Sequence, residues 1–482
     1  MLNYAQNPIP QVPPSQFNVL GGLTFPGVGG VSRNLWNSYT KQFMPRIGLA
    51  YSVTPKTVIR TGYGIYFQPL GIVNVGGSGA GGGGGGVLNQ AGFGSTTSFV
   101  GSTDNGQTYI ANLTNPFPGG FVAPTGSSAG LSTFQGQSIS FYPKVMKNPY
   151  MQRWQFALQQ QLPFTSLIEL SYVGNRSTRL LATQDLDPIP RQYLSTLPTR
   201  DQATINLLGS QFANPFYPLL PRTNLAATTV ALSQLLRPYP QYSGITALEN
   251  SGFSWFHSFQ GRIEKRFSKG LAAQYSFTWA KWMQATAYLN PTDRIPEKVI
   301  SDLDRPFRHV LTAIYELPFG PHKYLLGSAN KAIGRFVGGW QVQGVFTYQS
   351  GAALGFGDAL LNPGETMADV ILPSNQRSVA QWFNVSAFNR VSSQQLASNV
   401  QSLSSAFSGV RAPPVNNIDL SVIKNGGITE RWKYQFTTAF INALNHPQFV
   451  PPNTTPTSSA FGQLTGAYNW QRIIQFGLKL SF

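Results

Sequence analysis

Cysteine is absent from the 482 residues, which removes disulfide scaffolds, thiol nucleophiles and Cys-ligated zinc or iron–sulfur sites and leaves the redox compartment open. No run approaches the roughly 18 to 20 consecutive apolar residues that a membrane helix needs, so helical spans are excluded. The opening MLNYAQNPIPQVPPSQ has neither the basic start nor the apolar core of a signal peptide, and no export signal is expected in the chain as written. Charge is scarce and mostly of one sign: 11% of residues are charged, and 34 Lys+Arg against 17 Asp+Glu give +17. The 49 Gly and 35 Pro fall short of a collagen-like or wholly disordered composition. Aromatic residues, at 13%, therefore need an apolar place to lie.

What is present is a period of two. Leu271, Ala273, Tyr275, Phe277 and Trp279 are mostly bulky, whereas Ala272, Gln274, Ser276, Thr278 and Ala280 are small or polar, the alternation of a strand with one apolar face. The pattern marks eleven segments, at 43–52, 57–67, 152–162, 166–174, 254–267, 271–282, 308–317, 338–349, 417–425, 432–445 and 470–482. Their connections alternate in length. Thr54-Pro55-Lys56, Pro163-Phe164-Thr165, Ser268-Lys269-Gly270 and the stretch around Gly426-Gly427 are tight turns, with 318–337 longer. Between them lie long connections at 68–151, 175–253, 283–307, 350–416 and 446–469.

A soluble sandwich gives no reason for every second connection to be long. An outer-membrane barrel does, with short periplasmic turns, long external loops and tilted strands of about 9–11 residues. The expectation is an all-β transmembrane antiparallel barrel over 43–482, preceded by an irregular leader or external loop at 1–42. Of nine tryptophans, Trp154, Trp255, Trp282 and Trp470 fall at the outer strand ends, with Trp279 a step below, and Trp340 and Trp432 fall at the periplasmic ends. Interfacial girdles place amphipathic rings there. Trp36 and Trp382 lie in loops.

Five pieces carry a family resemblance: FMPRIGLAYSVTPKTVIRTGYGIYFQP, NPYMQRWQFALQQQLPFTSLIELSYVGNRSTRL, SDLDRPFRHVLTAIYELPFG, WQVQGVFTYQSG and FTTAFINALNHPQF. In this order they resemble the C-terminal barrel region of Oar-like TonB-dependent outer-membrane transporters. The resemblance implies solute uptake across the outer membrane, energised by the TonB complex through an N-terminal plug, and a barrel of about 22 strands of which the chain supplies the C-terminal half. It names no solute. Neither a plug nor a TonB-binding box is found, so a fragment of a longer protein is expected. The other function class compatible with the pattern is a surface adhesion or structural barrel whose Ser/Thr/Asn/Gly-rich loops bind partners without transport.

Catalytic, cofactor and metal sites are not expected. The glycine run at 81–86 lacks the Gly-Lys-Ser/Thr ending of a phosphate loop, and reads as an external loop. His257, His309, His322 and His446 show no metal-ligand spacing; interfacial or luminal hydrogen bonding is their expected role. Asp302 and Asp304 lack the further oxygen ligands of a calcium loop and the framing of a hydrolase pair, so pairing with Arg305 and Arg308 at the rim is expected. The basic excess sits chiefly in the alternating segments and turns, with the aromatics on the opposite strand face, unlike the stacked basic patch of a nucleic-acid binder.

Turning the bulky positions to lipid sends Arg46, Arg60, Arg153, Arg262, Arg266, Arg308, Lys433 and Lys479 to the lumen, against Glu169, Glu264, Glu316 and Asp419. A basic lumen should concentrate anions or hold an acidic plug face. The same rule puts Lys281 and Arg472 on the lipid side near the outer rim, where long side chains snorkel. The closing alternation Phe476, Leu478, Leu480, Phe482 resembles the signal read by the barrel-assembly machinery. Outer-membrane lipid, that machinery, the TonB complex and an unidentified solute are thus the expected partners.

Overall fold

A computed structural model of the chain describes residues 19–34, 37–69, 92, 97, 99–102, 104, 106–221, 223–321, 323–328 and 330–482. The glycine run at 81–86, Trp36 and His322 lie outside the described residues.

The fold is all-β around one large sheet. Eleven strands form its continuous path: β1 (Arg46–Thr54), β2 (Thr57–Phe67), β3 (Tyr150–Leu162), β4 (Ser166–Asp185), β5 (Gly244–Ser268), β6 (Leu271–Ala285), β7 (Phe307–Glu316), β8 (Trp340–Gln349), β9 (Val415–Gly427), β10 (Lys433–Ile441) and β11 (Ile473–Ser481). Each pairs antiparallel with its sequence neighbour. Two short strands bring the sheet to thirteen: Val299–Ile300 on β6, and Ser138–Phe141, which runs parallel to the start of β5. Among the described residues β1 and β11 each pair on one side only, so the wall is open. Among the described residues no helix is long and apolar enough to cross a membrane.

Local chemistry closes the short end. In Ser268-Lys269-Gly270, Lys269 and Gly270 have φ of 52° and 79° and Ser268 pairs with Leu271, the left-handed pair whose twist suits a two-residue hairpin. Between β7 and β8 the longer connection carries a helix (Lys331–Val337) capped by Asn330, whose side chain accepts from Ile333 N–H at 2.9 Å.

All eleven alternating segments are strands, yet two run further than their period indicates. The β4–β5 ladder continues past Gly174 to Asp185↔Thr246, and β5 itself begins at Gly244. Around 175–180 the sequence is Asn-Arg-Ser-Thr-Arg-Leu, in which the alternation of bulky and polar residues fades. This projecting ribbon packs as a soluble protein does, with Ile245 and Ala247 fully buried against Leu23, Phe25, Ile139 and Tyr242.

The long connections also carry cores of their own. Phe356, Phe383, Phe388 and Phe461 pack with centroids 5.0–6.1 Å apart, beside Val370 and Val410. Asp304 does not pair with Arg305 or Arg308. Its carboxylate, 1% exposed, takes Arg411 from the 350–416 connection at 2.8 Å and the N–H of Trp282 at 2.6 Å, while Arg305 donates to backbone carbonyls. The reason is the turn itself: it folds Asp304 inward, where only a side chain from an overlying loop reaches it.

Candidate functional site: the polar face of the wall

In an antiparallel ladder, directly paired residues share a face. Starting from Arg46↔Gly64, successive registers carry one face across the wall through Gly64↔Arg153, Arg153↔Asn175, Glu169↔Arg262, Arg262↔Ser276 and Arg308↔Thr278. They continue through Val345↔Asp419, Gly427↔Lys433 and Gln435↔Lys479. Seven of the eight bases read from the sequence therefore lie on one face: Arg46, Arg60, Arg153, Arg262, Arg308, Lys433 and Lys479. The eighth, Arg266, sits inside the register shift between Lys265 and Ser268, and pairing does not assign it. Glu169, Glu264, Glu316 and Asp419 share the face with the seven.

The acids on this face are all engaged. Glu264 pairs with Arg262 at 3.1 Å and Glu316 with Lys323 at 2.9 Å. Gln159 donates to Glu169, and Asn442 N–H donates to Asp419 at 2.8 Å. Among the described residues only Arg262 of the seven bases has a carboxylate within salt-bridge distance. The other six are exposed, and Arg46 stacks over Tyr66 at 4.9 Å. A cavity of about 490 Å³ opens here, lined by Glu264, Gln274, Thr312, Gln343, Asp419 and Ser421, groups able to bind a polar solute through several hydrogen bonds.

The opposite face is apolar and exposed. Ile47 (70% exposed), Leu49, Phe156, Tyr172, Phe259, Trp279, Leu311, Leu420 and Phe476 (67%) all point there. Water does not leave such a band uncovered on a soluble monomer. Its two histidines are each held by a tyrosine of the neighbouring strand, Tyr172 Oη to His257 Nδ1 and Tyr275 Oη to His309 Nδ1, both 2.7 Å. That satisfies one polar atom of each ring where lipid cannot. Gly174 is required between its register partners Trp154 and His257: a Cβ there would meet the Trp154 indole at 2.5 Å.

Trp154, Trp255 and Trp279 lie on this apolar face. Trp282 does not, although the girdle expectation included it. Its register partner is Phe256, and it packs edge-on to that ring at 5.7 Å on the polar side. The alternation that turns Trp279 outward turns Trp282 inward. Phe476, Leu478 and Leu480 occupy the apolar face of β11, and Phe482 follows it, 93% exposed, with its ring 5.2 Å from Trp432.

The model of the outer membrane beta barrel domain family matches residues 3–475, so the chain belongs to that family. It is an outer-membrane barrel family and not an enzyme family, and it makes this chain an integral outer-membrane protein. Similar solved structures include the outer membrane transporter YddB of Escherichia coli, with TM-score 0.41 and 10% identity over 91% of this chain and 40% of that one. Others are the pyoverdine receptor FpvA of Pseudomonas aeruginosa (TM-score 0.38, 11% identity, 92% and 36%) and the iron transporter FrpB of Neisseria meningitidis (0.38, 8%, 91% and 39%). The chain thus spans about two fifths or less of the length of these proteins. The search of curated proteins gave no match.

Proposed function

We propose that the chain is part of an import barrel of the TonB-dependent, Oar-like type, with the polar face lining the lumen, the long connections outside and the short turns in the periplasm. The observation that carries this reading is the charge imbalance on the polar face: four acids already partnered, and six bases with no carboxylate within salt-bridge distance among the described residues. Such a wall concentrates anions or seats an acidic plug.

Strand parity supports completion by further strands of a longer chain. With eleven strands alternating in direction, β1 and β11 run the same way. A second copy closing the wall by two-fold rotation about the membrane normal would create parallel seams, whereas an odd number of added strands keeps every seam antiparallel. Eleven more give the proposed 22. A plug within that barrel would couple it to the TonB complex; the solute is unassigned. The folded loop layer favours a second reading, a surface barrel that binds partners through its loops without transport.

Reversal potentials across a salt gradient, measured on the complete barrel without its plug, test the lumen assignment. Anion preference is expected, and cation preference refutes it. Cysteines at Leu207 and Ala368 should label with an impermeant thiol reagent on intact cells, and one at Lys56 only after permeabilisation; the reverse pattern inverts the topology.

A further inference from the structure

The apolar face carries one group of bases that the lumen reading does not use. On β4 Arg176 pairs with Trp255 of β5, and its guanidinium lies 5.2 Å from that ring and 4.8 Å from Phe253. Lys298 reaches the same indole, 4.7 Å from its centroid. Lys281 of β6 pairs with His257, two residues along β5 from Trp255, and is exposed. None of the three has a carboxylate within salt-bridge distance among the described residues. Glu297, adjacent to Lys298, instead accepts from Ser405 N–H.

Their height is set by strand length. Arg176 stands ten residues along β4 from Ser166, Trp255 ten along β5 from Lys265, and Lys281 ten along β6 from Leu271. At about 3.3 Å per residue and a tilt of about 40°, that is about 25 Å above the turns, the height of an outer-membrane apolar band. The bases therefore stand at the membrane surface on the long-loop end, and stacking on aromatic rings holds Arg176 and Lys298 in place.

We propose that Arg176, Lys281 and Lys298, gathered around Trp255, bind the phosphate groups of an outer-leaflet glycolipid. A zwitterionic phospholipid brings its own cation and leaves three bases uncompensated; a glycolipid with two phosphate monoesters supplies the charge, and its acyl chains continue down the apolar face over Phe259 and Trp279. The assignment rests on the outward orientation of the long connections.

Native mass spectrometry of the full chain in detergent, titrated with diphosphoryl lipid A, tests it. Arg176→Gln/Lys281→Gln/Lys298→Gln should lower the bound fraction at least tenfold, while Lys56→Gln/Lys269→Gln at the opposite end should match the parent. Should the triple variant not fold, the exposed pair Lys281→Gln/Lys298→Gln should still show a loss of several-fold. Equal binding by the variants overturns the site. So does equal binding of phosphatidylglycerol, which means a generic anionic surface, or full competition by millimolar inorganic phosphate, which means a free-anion site. Such a failure with Leu207 and Ala368 cysteines still labelled outside would remove the lipid site and leave the import reading standing.

Discussion

Phe259 and Gln260 are neighbours on β5 with opposite duties, and one charge placed at each separates the faces. Phe259 is on the apolar face between Tyr172 and Trp279, 41% exposed. Gln260 is on the polar face between Ser171 and Thr278, donating to Ser258 Oγ at 3.1 Å. Six residues from Lys265, Phe259 stands about 15 Å above the turns at about 3.3 Å per residue and a strand tilt of about 40°, near the middle of the band and beyond the snorkelling reach of an arginine. Phe259→Arg should cost about 2–4 kcal/mol, a factor of about 30 to 700 in the folding equilibrium at about 1.4 kcal/mol per decade. Gln260→Arg loses one neutral hydrogen bond, about 1 kcal/mol, and gains luminal water. The assay is the heat-modifiable, protease-resistant fraction in outer-membrane preparations, with denaturant midpoints in lipid vesicles. Equal losses, or a larger loss at Gln260, would refute the assignment of the two faces.

Other expectations follow from the loops and the last strand. Arg411→Ala should leave the buried Asp304 carboxylate without its cation and cost about 3 kcal/mol, read as faster proteolysis within 350–416 while the wall stays heat-modifiable. Asp187, buried beyond the end of β4, is pushed up to about 7 by desolvation, against the opposing pull of Tyr239 N–H and Arg237 and with Asp185 adding to the rise. Because that value lies above the ordinary 3.8, the folded loop holds a proton that the unfolded loop releases; stability is full at low pH, falls between about pH 4 and 7, and is level above. Protection factors over 186–242, which correct for the base-catalysed intrinsic exchange rate, should therefore be higher at pH 5 than at pH 8, and Asp187→Asn should flatten the difference. Deleting Phe482 should reduce the yield of folded protein if the terminal aromatic is read during assembly; unchanged insertion removes that role and leaves β11 in place.

The wall was legible because lipid enforces it. A strand crossing a membrane must keep one face apolar along its whole span, so Leu271, Tyr275, Phe277 and Trp279 declare their side in the sequence, and the register agrees residue by residue. Seven of the bases expected in the lumen share one face by the same parity, and Arg266 is left unassigned where a register shift interrupts the count. Beyond the alternating part of the wall the constraint ends. The outer halves of β4 and β5, the cluster of Phe356, Phe383, Phe388 and Phe461, and the Arg411–Asp304 pair bring together residues tens to more than a hundred positions apart on irregular backbone. Burial there depends on which loop meets which, and no local period records it. The sequence by itself determined the eleven strands of the wall and which of their alternating side chains share a face; only the tertiary structure decided the added strands, how far β4 and β5 run and what the loops pack against, because a lipid boundary acts on every second residue and a folded loop layer acts only through contact.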